Sequence, residues 1–300
     1  MNTWQHRGIT QVPGLKLGHA HCGVAHTGVT LIVPDQPAVM AVDVRGGGPG
    51  TRETDALNPI NLVDRVHGLA LAGGSVFGLA AGDELALLLS AAGHGLPMGD
   101  GVPPVPVVPA AILFDLSNGG DKAWGMDPPY RRLTREAFAA LGAADGEGPI
   151  GAGHGARAGS RAGGIGSVSR VLEGGHTVGA LVAANSFGEV YAGAPPEDGP
   201  VAMPKLPAHR RFGRGNTIIG AVATDAPLTR AQAQRMAMMA QAGLTRAVRP
   251  IHTPFDGDCL FAISTAAPGL PPVDDVALIN LATVAADLVA IAVRRAVGLY

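Results

Sequence analysis

Between Tyr191 and Gly215 the chain runs for more than twenty residues without a hydrophobic period. The run contains Pro195-Pro196-Glu197-Asp198-Gly199-Pro200 and the basic stretch His209-Arg210-Arg211-Phe212-Gly213-Arg214. It ends abruptly at Asn216, and Thr217-Ile218-Ile219-Gly220-Ala221-Val222-Ala223 then reads as a buried strand. So long a segment is uncommon inside a compact domain unless it is mobile or has a task. It is either a surface Ω-loop or a strap that carries a scissile bond to the head of a strand. Were the bond between Asn216 and Thr217 cut, Thr217 would offer a hydroxyl nucleophile and its own α-amine as base. An α-amine has a reference pKa of about 8, so a useful fraction is neutral near pH 7. By residue type alone, Asn-Thr is an ordinary way to enter a strand, and both readings stand.

The rest of the chain alternates strands, loops and helices. Gly28–Val33 and Ala38–Val44 read as a hairpin around Asp35-Gln36-Pro37. Residues 1–27 are mixed, with Pro13-Gly14 as a turn. Arg45 to Asp55 holds four glycines and a proline in its first six residues, so it is a loop, either a structural turn or a wall of a binding site. It lacks the spacing of a Walker or Rossmann phosphate loop. Val66–Ala72 reads as a strand, with Ser75 capping a helix over Val76–Ala92. Gly-x-Ser-x-Gly spacing fails there, because position 77 is Phe. A strand follows at Val107–Phe114, a short helix at Thr134–Leu141, and a glycine-rich stretch to Gly164. Gly166–Leu172 and Thr177–Ala184 form a second hairpin. Thr229 caps a helix to Ala242, Cys259–Thr265 is a strand, and a largely apolar helix closes the chain from Asp274 to Val297. This order favours one layered α/β domain with mixed or antiparallel sheets and outer helices over a doubly wound fold.

Charge and composition remove several function classes. The 22 basic and 24 acidic residues leave a net charge of -2, which gives no electrostatic case for nucleic acid. Charged or turn-forming residues break the apolar stretches, so none reads as a membrane span. The N-terminus lacks a basic-then-apolar leader, and Cys22 and Cys259 make no disulfide framework, which points to the cytoplasm. The ten histidines show no His-Glu-x-x-His spacing, which argues against a zinc enzyme.

Three polar features sit where strands meet loops. Thr217 opens a strand, Asn185 ends one, and Asp256 and Asp258 flank a glycine just before another. Strand-end loops often carry function. Two acids in alternation can point the same way and polarise an ammonium or hydroxyl, although Asp-x-Asp also suits a metal site or a plain turn. The Asn185 carboxamide can donate to a developing oxyanion.

Several stretches then combine into a resemblance. They are Arg45-Gly46-Gly47-Gly48-Pro49-Gly50-Thr51-Arg52-Glu53, His67-Gly68, Ala72-Gly73-Gly74-Ser75-Val76-Phe77-Gly78-Leu79 and Gly151-Ala152-Gly153-His154-Gly155-Ala156. They continue with Gly163-Gly164-Ile165-Gly166-Ser167, Ala184-Asn185-Ser186-Phe187-Gly188, Asn216 to Thr224, and His252-Thr253-Pro254-Phe255-Asp256-Gly257-Asp258. In this order, over essentially the whole chain, the sequence resembles the self-processing L-aminopeptidase/D-esterase family, peptidase family S58. That family includes β-aminopeptidases and the nylon-oligomer endo-hydrolase.

The resemblance implies an αββα sandwich like that of the N-terminal nucleophile hydrolases, with different connectivity. It implies self-cleavage between Asn216 and Thr217 into pieces 1–216 and 217–300 that stay in one fold. Thr217 would be the nucleophile, Asn185 an oxyanion donor, and Asp256 and Asp258 the acids around the new amine. Expected substrates are short peptides and amino-acid amides or esters. No cofactor or metal is expected, and the expected assembly is a homotetramer or larger. The chain departs from the family at one place. Several members carry a lysine after the Gly-Ala-Gly-x-Gly-Ala stretch, where this chain has Ser160, followed by Arg161. Ser160 can donate a hydrogen bond and Arg161 can bring charge, but neither equals a positioned ammonium. The alternative is an uncleaved, non-catalytic relative acting as a scaffold or small-molecule binder.

Overall fold

The computed structural model describes residues 8–143, 145–196, 201 and 216–300. Most of the Tyr191–Gly215 link, including its basic run, therefore lies outside the described residues. The strands in chain order are β1 (Leu15–Cys22), β2 (Thr27–Pro34), β3 (Val39–Val44), β4 (Thr51–Arg52), β5 (Leu69–Ala72) and β6 (Ala110–Ile112). Then come β7 (Arg157–Ala158), β8 (Arg161–Ala162), β9 (Gly164–Val171), β10 (Thr177–Asn185), β11 (Glu189–Val190), β12 (Thr217–Thr224), β13 (Val248–Arg249) and β14 (Cys259–Ser264). The helices are α1 (Ala80–Ala91), α2 (Tyr130–Ala139), α3 (Arg230–Thr245) and α4 (Asp275–Ala296).

Two five-stranded sheets carry the fold, ordered β1-β2-β5-β6-β4 and β3-β14-β12-β10-β9. Both are mixed: β5–β6 and β12–β14 run parallel, and the other neighbours run antiparallel. Period-two alternation sorts their side chains into three cores. Ile218 and Val222 of β12 and Leu260 and Ala262 of β14 face α3 and α4. Ile219, Ala221, Cys259, Phe261, Leu69 and Leu71 fill the gap between the sheets. Val29, Leu31, Ala70 and Ala72 face α1 and α2. The result is a four-layer αββα sandwich, as expected. β5, β10, β12 and β14 are buried along their whole length and read as largely apolar runs.

Two local expectations fail. The stretch Gly28–Val44 is no hairpin: β2 pairs with β1 and β5, whereas β3 pairs with β14 in the other sheet. Asp35-Gln36-Pro37 is thus a crossing between sheets, and β2's true hairpin partner is β1, hidden by its interleaved Lys16, His19 and His21. Ser75 does not cap α1 either. It begins a 3-10 turn over Ser75–Leu79, at φ +54°, and α1 starts at Ala80. The carboxylate that binds the turn's preceding N–H comes from afar: Asp115 accepts from Gly74 N at 2.8 Å and from the Thr27 hydroxyl at 2.6 Å. The short helix also begins earlier than expected, at Tyr130 rather than Thr134.

α4 is 22 residues long, with mean hydropathy 2.2 over its most apolar window, so its length and composition match a membrane-crossing helix. In the fold, 67% of that window is buried. Its apolar surface packs on α3, β9 and β10, which accounts for the composition.

Candidate active site

β10 and β12 are antiparallel neighbours, and their register sets Asn185 directly opposite Thr217. Both are buried, 1% and 4% exposed. They share strand parity with Leu181, Ala183, Ile219 and Ala221, which face the gap between the sheets. Alternation therefore places the two polar residues together at one end of that gap.

The loop before β14 meets them there. Asn216 forms a parallel bridge with Asp256. Its N–H donates to Phe255 O at 3.4 Å, and Gly257 N–H donates to Asn216 O at 3.1 Å. The same Gly257 N–H lies 3.1 Å from Thr217 Oγ1. The Thr217 hydroxyl donates to Asn216 O at 2.5 Å. One backbone donor thus serves both the hydroxyl and the carbonyl of the peptide bond before it. A Cβ at position 257 would stand 2.8 Å from Thr217 Oγ1 and 2.8 Å from Gly48 O, so only glycine fits without displacement.

The glycine loop after β3 clamps this segment. Arg45 N and Gly46 N donate to Asp258 O at 2.9 and 3.2 Å, Gly47 N to Thr253 O at 3.2 Å, and Gly48 N to Asp256 O at 2.7 Å. Close backbone approach explains the glycines: a Cβ on Gly46 would fall 2.3 Å from Asp258 N. The loop thus holds the acid loop in place.

The two acids, both fully buried, bond in different directions. Asp256 accepts from Thr253 N at 2.7 Å and more weakly from Phe187 N at 3.4 Å. Burial first, and then the Asp258 charge, raise its pKa above the usual carboxylate range. Asp258 accepts from Ile218 N at 2.7 Å on one oxygen. On the other it accepts from His252 N at 3.1 Å and pairs with the His252 ring Nδ1 at 3.0 Å. Its carboxylate therefore grips the residue after Thr217. The positive ends of N–H dipoles face both acids, a donor set suited to anions and poorly suited to a metal ion.

Asn185 is held in a network of its own. Its Nδ2 donates to Phe114 O at 3.1 Å, and its Oδ1 accepts from Arg157 N at 2.8 Å and from Asn118 Nδ2 at 3.4 Å. Asn118 also donates to Gly155 O at 2.9 Å. Ser160 and Arg161 are exposed on the β7–β8 ribbon, the ribbon whose Arg157 N–H bonds Asn185. The Ser160 hydroxyl donates to Glu189 at 2.9 Å.

The structure thus gathers Asn216, Thr217, Asn185, Asp256 and Asp258 around one point, while Ser160 and Arg161 are exposed and, among the described residues, make no bond to these five. It adds Gly257, His252 and Asn118. The signals for the first two lay in the His252–Asp258 stretch, as the glycine between the acids and the histidine six residues before Asp258. Asn118 carried no signal, because a loop distant in sequence brings it in.

Known proteins resemble this chain in sequence and in overall fold. The model of peptidase family S58 matches residues 7–298. An uncharacterized aminopeptidase of Mycobacterium tuberculosis is 40% identical, over 88% of this chain and 83% of that protein. A 6-aminohexanoate-oligomer endohydrolase of Agromyces is 29% identical, over 86% of this chain and 75% of that protein. Among solved structures, a Burkholderia β-aminopeptidase superposes with TM-score 0.76 at 27% identity, covering 98% of this chain and 87% of its own. The L-aminopeptidase D-Ala-esterase/amidase of Ochrobactrum anthropi, described as a variant of the Ntn-hydrolase fold, superposes at 0.75 with 26% identity, covering 98% and 86%. With its αββα layers, and with a family match running nearly end to end, the chain belongs to peptidase family S58.

Proposed function

We propose that this chain is an autoprocessed amide hydrolase whose nucleophile is Thr217, freed by cleavage after Asn216. One observation carries the reading: the Thr217 hydroxyl is 2.5 Å from the carbonyl oxygen of Asn216, and Gly257 N–H reaches both oxygens. Family membership supports a peptidase or amidase. Relatives named as aminopeptidases, as an oligoamide endohydrolase and as an L-aminopeptidase D-Ala-esterase/amidase support short peptides and amino-acid amides or esters as substrates.

In the uncut chain, Thr217 Oγ attacks the Asn216 carbonyl carbon. The hydroxyl proton passes to the Thr217 nitrogen as the C–N bond breaks, leaving an ester. Gly257 N–H stabilises the charge that develops on Asn216 O. Water then hydrolyses the ester, releasing the Asn216 carboxylate and a free Thr217 amine and hydroxyl. In the mature form of pieces 1–216 and 217–300, the neutral amine accepts the hydroxyl proton as Oγ attacks a substrate carbonyl. The Asn185 amide donates to the oxyanion. The protonated amine then donates to the leaving nitrogen, and water clears the acyl-enzyme. Asp258, bonded one peptide beyond Thr217, and Asp256 beside it set the charge around that amine. No step calls on a cofactor. A cytoplasmic homotetramer remains part of the proposal.

The test is hydrolysis of a panel of amino-acid anilides by the parent chain and by Thr217→Ala. The parent turns over at least one anilide, and the variant loses at least about a thousandfold in rate, the scale of removing a nucleophile. A variant as active as its parent would overturn the assignment. A parent that stays uncut and inactive would favour the scaffold or binder reading.

A further inference from the structure

His252 occupies a strained position that the mechanism above leaves unused. Its backbone sits at φ +56°, in the left-handed region that few non-glycine residues occupy, asparagine, aspartate and histidine more often than the others. That conformation turns both its N–H and its ring onto one atom, Asp258 Oδ2, at 3.1 and 3.0 Å. Facing a carboxylate oxygen, ring Nδ1 carries a proton and donates. The opposite nitrogen, Nε2, is buried with no hydrogen-bond partner among the described residues. The ring also lines a cavity of about 400 Å³ beside α3 and α4, with Arg45, Met238 and Met239. The polar contact that orients the imidazole is therefore the one to Asp258. Across the carboxylate, Asp258 Oδ1 takes Ile218 N–H at 2.7 Å.

We propose that His252 is a positioning residue: it locks the Asp258 carboxylate against the head of β12, so that the anion stays fixed beside the Thr217 nitrogen. Strained backbone at a functional site is retained when the geometry it creates is needed. Two donors from one residue onto one oxygen leave the carboxylate little freedom to rotate away from Ile218. His252 itself touches no reacting atom. The inference rests on the reading of Thr217 as nucleophile.

Two variants separate ring from backbone. His252→Gly relieves the positive φ and removes the ring. His252→Asn tolerates the same φ and offers an amide N–H where Nδ1 stood. Each is measured for conversion of full-length chain into two pieces and for kcat and KM on an anilide. The glycine variant slows conversion and lowers kcat by about tenfold or more, with KM nearly unchanged, and asparagine restores most of the loss. Parent-like conversion by the glycine variant would overturn the proposal. So would an asparagine variant as slow as glycine, since the ring donor would then be irrelevant.

If the parent itself never cleaves, the reading of Thr217 fails, and the contact is judged by unfolding. In the Thr217→Ala chain, His252→Asn and His252→Gly are each combined with Asp258→Asn. The proposal expects the glycine variant's shift in midpoint to shrink once Asp258 has lost its charge. Additive shifts would overturn it.

Discussion

At Gly257 a missing side chain lets one N–H reach both the Thr217 hydroxyl and the Asn216 carbonyl. Gly257→Ala must displace both the hydroxyl and the Gly48 carbonyl, each 2.8 Å from the added Cβ, or move the loop itself. Overpacking of this kind costs about 1–3 kcal/mol, which a folded domain can survive. The expected outcome is a folded chain that converts to two pieces about tenfold more slowly or worse, followed by gel or mass spectrometry. Asp256 supplies a second test. Burial and the Asp258 charge raise it from 3.8 to about 6. The folded chain then holds a proton that the unfolded chain has released, so this group's contribution to stability falls as pH rises from about 4 to about 6. In the uncut Thr217→Ala chain, the urea midpoint should drop across that window by more than it does when Asp256→Asn is added. Equal drops would contradict the assignment. Strand-end position and the family resemblance, rather than residue type alone, singled out Thr217, Asn185 and the two acids as candidates in the sequence. The different directions in which the acids bond were not legible there, because they depend on which N–H groups a folded loop presents.

Elements were legible where a local signal and burial agreed. Thr229 was expected to cap a helix, and it does: Gln232 N donates to Thr229 Oγ1 at 3.1 Å, and Thr229 N donates to Gln232 Oε1 at 2.9 Å. Loss of such a capping box costs about 1 kcal/mol, so Thr229→Ala should lower the unfolding free energy by about that amount in denaturant titration, with the site chemistry unchanged. The β9–β10 hairpin was legible for a similar reason, since a short turn joins two apolar runs that pair directly. The stretch around Asp35-Gln36-Pro37 offered the same pattern and misled. Nothing local distinguishes a hairpin turn from a crossing between sheets when the strands on both sides are largely buried. Ser75 misled because the N–H group ahead of it is bound by Asp115, about forty residues away.

At the scale of the molecule, four layers bring the two ends of the mechanism together. Thr217 heads a central strand of one sheet, with the neighbouring strands β10 and β14 on either side. The acid loop enters between that strand and the glycine loop from β3. The order of elements pointed to a layered α/β domain with outer helices, and the αββα layer order followed from the family resemblance. The pairing order β3-β14-β12-β10-β9 was not legible, because it joins segments from opposite ends of the chain. The central claim is that this arrangement breaks the bond between Asn216 and Thr217. Intact mass under denaturing conditions, on freshly made protein and again after incubation, tests it most directly. The account predicts two species, one ending at Asn216 and one beginning at Thr217, growing together at the expense of the full chain and absent from Thr217→Ala. A single stable species of 300 residues in both chains would contradict it.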